Sequence, residues 1–206
     1  DGNTLLVAGA GNTTISPTGT ISGGGGLTKS GSGTLAINAA VTGTGGVTID
    51  ASGTLDIDGP IGATGGIVRI DAGGYVHQNA TGIVTAGSLG VKAAGEIVLT
   101  QNNVIDTFAA QSTLLNADVK FTNTGTLTVG TVTDATPAIW GVGVSQVGIT
   151  TAGGNIDITS TGGSVIILKN LIADNASGGA AGNVTITVPL TGAPRNVAGQ
   201  VLPAPQ

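Results

Sequence analysis

Asp50 and Asp71 each sit inside the same phrase, Ile-Asp-Ala, and each phrase opens with paired glycines. Three stretches carry the pattern: GGLTKSGSGTLAI (25–37), GGVTIDASGTLDI (45–57) and GGIVRIDAGGYVHQ (65–78). Laid on one another, they make columns. Ser30, Asp50 and Asp71 share one, Thr28, Thr48 and Arg69 a second, and Ala36, Asp56 and His77 a third. Two carboxylates one repeat apart raise each other's pKa or recruit a cation such as Ca²⁺. Asp56 beside His77, the single histidine, has the makings of an ion pair, and Arg69 those of a counter-charge to Asp71. Asp50, Asp56, Asp58, Arg69, Asp71 and His77 would together suit a carbohydrate-cleaving or cation-assisted site.

The same residues have a plainer reading, as corner and outer-face positions that keep a repetitive chain soluble. Aspartate is a common turn residue that bonds its own backbone. A polysaccharide enzyme needs a long cleft lined by aromatic rings, and Tyr75 is the lone aromatic nearby. The plainer reading is adopted: no catalytic residue and no cofactor, with Asp50 and Asp71 kept as weak metal candidates. Tyr75, His77 and Trp140 are the candidate interaction residues. One histidine without an ordered serine motif supports no triad. The glycine run at 23–26 lacks the Gly-Lys-Ser/Thr ending of a phosphate loop and reads as a turn.

Such columns have meaning only if the elements carrying them stack. Leu35 and Ile37 recur as Leu55 and Ile57, and weaker copies follow at 86–99, 124–129, 153–159, 162–168 and 182–188. Each is a short strand with alternating apolar residues behind a glycine or small polar turn. Strands recurring at a near-constant spacing predict a solenoid, one turn of chain per repeat. A β-sandwich also has short strands and glycine-rich turns, but has no reason to repeat side-chain type at fixed offset. The expectation is therefore all-β: a right-handed parallel β-helix of about nine or ten rungs, a rod on the order of 45 Å long at the usual inter-strand spacing. The solenoid is expected over 1–190. An excursion is expected at about 130–150, with Trp140 covering an apolar edge. Residues 191–206, with Pro194, Pro203 and Pro205, read as an extended tail or linker.

Composition agrees. Of 206 residues 38 are glycine, only 8% are charged and 2% aromatic, and cysteine is absent. A narrow coil has little room for rings, so Val, Ile, Leu and Ala dominate. Without cysteine there is no disulfide framework and no thiolate metal site. A net charge of −5 with six scattered basic residues argues against nucleic acid or an anionic membrane as partner. There is no run of 18 apolar residues to insert into a bilayer.

GGLTKSGSGTLAINAAVTGTGGVTI (25–49) resembles the autotransporter-associated β-strand repeat of bacterial passenger domains. GGNIDITSTGGSVIILKN (153–170) and GGAAGNVTITV (178–188) resemble filamentous-haemagglutinin-like exoproteins secreted by two-partner systems. The resemblance implies a right-handed parallel β-helix that is secreted to a bacterial cell surface or extracellular matrix. There it would serve adhesion, cell contact or matrix building; cell-surface glycans are a further expected partner. No amphipathic helix pattern caps either end of the repeats. The leading expectation is thus a non-catalytic structural or adhesive rod whose partners are copies of itself, head to tail or side by side. The alternative is a segment of a large secreted adhesin, and the third reading is a polysaccharide-active enzyme.

Overall fold

The computed structural model describes residues 4–23, 26–133, 139–141, 144–175 and 178–189. Every described element is a strand, and every pairing is parallel except one small antiparallel pair. Parallel pairing between successive turns makes the protein a β-solenoid of about seven turns. The β-sandwich alternative is excluded, because its sheets would be antiparallel.

Three faces are laid down per turn. On the first, one inward ladder runs Leu5, Leu27, Ile49, Ile70, Val91, Ala110, Ile149, Leu171. On the second, Thr13 leads into Leu35, Leu55, Val76, Ile97, Val119, Ile156 and Val184. The third face starts with Thr20–Ser22 and Ala40–Thr42, then uses the beginnings of the long strands Ile61–Ala72 and Val84–Ala93. Those strands pass from the third face to the first without a break. The bend is taken at Gly65, in the left-handed region at φ 70°, and at a register shift between Ala86 and Ser88. The side-chain period of two sends one residue in and the next out, so the central strand Gly46–Ala51 alternates between half-buried and buried.

The rung count is lower than nine or ten for a definite reason. GGNIDIT and GGSVIIL are not separate repeats: Ile156–Ser160 lies on the second face, and Val165–Ile167, paired with Leu127–Val129, leads into the first face of the same turn. Between Gly130 and Gly148 the chain leaves the coil, and Gly148 N–H donates to Gly130 O at 2.8 Å where it rejoins. That span adds no rung. Thr131–Val132 pairs antiparallel with Gln146–Val147 at its base. The proposed tail, 191–206, lies outside the described residues.

The core is mainly aliphatic, yet it holds rings after all. Phe108 and Phe121 are buried and stacked, with centroids 4.0 Å apart and planes 13° from parallel. Two rings fit because they lie flat on each other. The interior also holds polar groups. Gln78, Asn103 and Asn123 are buried at the corner between the second and third faces. Asn103 Oδ1 accepts from Val84 N–H at 2.9 Å and from Gln78 Nε2 at 2.7 Å. Its Nδ2 donates to Gln101 O at 2.9 Å and Thr122 O at 3.0 Å. One rung on, Asn123 exchanges bonds with both the N–H and the C=O of Ile105. These amides complete backbone bonds that the corner would otherwise leave unmade. Near the first turn, Lys29 points inward, fully buried, and its ammonium donates to Gly9 O and Gly31 O at 3.1 and 3.2 Å.

Candidate functional site

The acidic column exists, but with a different third member. Asp50 and Asp71 are register partners on the outer side of the first face. The residue beneath Asp50 is Thr28, not Ser30, and Thr48–Arg69 is preceded by Gly26, not Thr28. The cause lies in the corners. From Leu27 to Leu35 the chain takes two residues more than from Ile49 to Leu55, so the paired glycines do not align. A slip of two residues preserves which side chains face in, so the alternation could not reveal it.

The six charged candidates do not converge. Asp50, Arg69 and Asp71 lie on the first face, while Asp56 and His77 are register partners on the second, above Ala36. Asp58 is a corner residue whose carboxylate accepts from Asn79 and whose carbonyl accepts from the Thr81 hydroxyl. Arg69 Nε donates to Thr133 O at 2.8 Å, engaging the excursion. Burial lifts the Asp50 carboxyl above its ordinary value. Burial also lifts Asp56, helped by Asp58 and opposed by His77. Among the described residues no group of three His, Cys, Asp or Glu side chains is arranged to hold a metal.

Tyr75 and His77 do come together. Their rings stack with centroids 4.1 Å apart and planes at 23°. Asp56 was the expected ion-pair partner of His77; instead His77 Nε2 lies 2.8 Å from Glu96 Oε1, one turn further on. Both side chains remain partly open to solvent. Tyr75 and Glu96 line a shallow groove of about 530 Å³ along the corner between the first and second faces, with Leu114, Leu115 and Asn116 among its other walls. Its apolar wall has a local cause. The register with Ile149–Ala152 shifts between Gln111 and Leu115, and Asn116 turns back in the left-handed region at φ 60°. This bulge leaves Leu114 61% exposed. A ring, a carboxylate and an apolar rim in one groove suit an amphipathic ligand, with CH groups on one side and hydroxyls on the other. Glu96 falls within the repeat copy at 86–99 but outside the charged columns; setting Val76 on Ile97 places Glu96 in register with Tyr75.

Trp140 is 4% exposed and is no open platform. Its indole Nε1 donates to Ile70 O at 2.9 Å, and its ring packs with Ala109 and Val132 on the outside of the first face. Gly90 makes room: a Cβ there would stand 2.4 Å from the tryptophan ring. Trp140 thus clamps the excursion against the solenoid.

The remaining unusual surface is at the two ends. Leu5 and Leu6 are exposed in the first described strand, and Ile172, Val184 and Ile186 in the last two. No family model, curated protein or solved structure matches the chain.

Proposed function

We propose that the protein is a non-catalytic structural or adhesive β-solenoid, secreted to a bacterial cell surface or extracellular matrix, which stacks copy upon copy into a filament. The coil is taken as right-handed, the hand implied by the family resemblance. One observation carries the reading. Among the described residues, the strands at each end are paired on one side only and carry the apolar residues that would be interior in the next turn, Leu5 at one end and Leu171, Val184 and Ile186 at the other. Unpaired edges are templates for further strands. A head-to-tail contact between identical rods does not close, so it propagates. The low charge of the chain adds little repulsion between copies. Negative-stain electron microscopy and sedimentation of the purified chain over a range of concentrations test it. Filaments that lengthen with concentration are expected; short rods that stay monomeric throughout would remove the self-assembly reading.

A second reading, adhesive contact with cell-surface glycans, is favoured by the groove lined by Tyr75 and Glu96, which His77 backs by stacking on the one and pairing with the other. It predicts glycan-array binding that Tyr75→Ala abolishes. Binding untouched by that change would place adhesion elsewhere.

A further inference from the structure

The outward column of the first face changes character at its ends. It runs Leu6, Thr28, Asp50, Asp71, Lys92, Gln111, Thr150, Ile172. Its six central members are polar or charged. Its two terminal members are apolar, with Leu6 62% and Ile172 40% exposed. In mid-rod an outward side chain has a ladder neighbour in the turn on either side. At an end it gains a neighbour only if another turn is laid on it. Leu6 and Ile172 occupy the same column, so a copy translated along the axis brings one onto the other.

The second face agrees independently. Its first strand reads Thr13, Thr14, Ile15 and its last Val184, Thr185, Ile186, each set in the same columns. Placed together they match β-branched with β-branched, threonine with threonine and isoleucine with isoleucine. On the first face Leu5–Ala8, LLVA, meets Leu171–Asp174, LIAD, and the single charge of the joint, Asp174, falls opposite Ala8. No like charges meet.

We infer that the copies join in one register, Leu171 on Leu5 and Ile172 on Leu6 on the first face, Val184 on Thr13 and Ile186 on Ile15 on the second. This rests on the self-assembly reading and adds to it the identity and alignment of the interface. The partner is a second copy of this chain, and the solenoid continues through the joint as one more turn. A slip of two residues is the competitor to beat, since it keeps every inward residue inward.

The absence of cysteine makes the test clean. Full-length single-cysteine variants are mixed in pairs and oxidised mildly, and disulfides are identified by peptide mass. Leu6→Cys with Ile172→Cys is the matched pair on the first face, and Thr14→Cys with Thr185→Cys on the second. Ala8→Cys with Ile172→Cys is the slipped pair, about 7 Å along the strand from the match, beyond the span a disulfide bridges without backbone movement. All are surface positions, and circular dichroism of each variant checks that the β-fold is retained. Disulfides confined to the two matched pairs are expected. Filaments with disulfides at the slipped pair would overturn the register and leave self-assembly standing. Filaments with none at either pair would place the contact on another surface, and monomers throughout would overturn both.

Discussion

Single carboxylates report their surroundings through pH, and two of them do so with opposite signs. Asp50 is raised by burial, so its charged form is penalised in the folded state. The penalty is present at neutral pH and is relieved as pH falls through the folded-state pKa. Asp50→Asn should therefore raise the melting temperature at neutral pH, and the gain should shrink to nothing on acidification. Burial pushes Asp118 up as well, but there the Asn155 backbone N–H at 2.7 Å and the Lys120 ammonium at 3.0 Å outweigh it and hold the carboxyl below its ordinary value. Its stabilisation is present above the unfolded-state pKa and is lost as pH falls through the lower folded one. Asp118→Asn should lower the melting temperature at neutral pH, by an amount that disappears in acid. Melting curves of both variants from neutral to acidic pH check the pair, and an Asp50→Asn chain that is less stable at neutral pH contradicts the desolvation account. The buried amides matter more than either. Asn103→Leu would leave Val84 N–H without its acceptor, together with the carbonyls that Nδ2 serves. Each buried group left unmade costs about 1–3 kcal/mol, so denaturant titration should show a loss at the upper end of that range.

At the scale of elements, the turn-on-turn logic was legible and the register only partly so. Leu35 over Leu55 and Ile37 over Ile57 follow from repeated side-chain type and hold in the fold, as do Asp50 with Asp71 and Asp56 with His77. Thr28 and Ser30 slipped because corner length carries no apolar signal. Glu96 is not legible because it lies outside the His77 column: His77 aligns with Val98 and Glu96 with Tyr75, so the contact is diagonal across turns. The amide corner of Gln78, Asn103 and Asn123 was equally invisible, since an inward asparagine looks like a turn residue until the corner exists. The excursion offers the sharpest test at this scale. Gly90→Val places a side chain where the Trp140 ring lies, so it should unseat the clamp and leave the ladder beneath intact. The emission of the single tryptophan should shift to the red while far-ultraviolet dichroism stays β. Unchanged emission would mean that the ring is not held over Gly90.

For the whole molecule, a linear stack of turns has a consequence that a globule lacks. Stability in a solenoid is the sum of turns and of the interfaces between them. Among the described residues the end turns have one interface instead of two, and a turn held on one side only frays first. If copies join as proposed, the joint supplies a second interface, and association that favours the folded chain raises its apparent stability by mass action. The melting temperature of the protein should therefore rise with concentration. Charges set into the joint should cancel that dependence: Leu6→Lys and Ile172→Lys in one chain bring two ammonium groups together at every contact, a device that sheet edges use against pairing. This double variant should melt at one temperature at all concentrations, close to the dilute limit of the unaltered chain, and should sediment as a monomer. A core change behaves differently. Leu55→Ala opens a cavity in the second-face ladder, where Leu55 is fully buried, and should cost about 2–5 kcal/mol. Its melting temperature should drop at every concentration while the concentration dependence survives. Scanning calorimetry of the three proteins over a hundredfold range of dilution separates the two effects. If the unaltered chain melts independently of concentration, the ends contribute nothing by pairing, and the rod acts as single molecules.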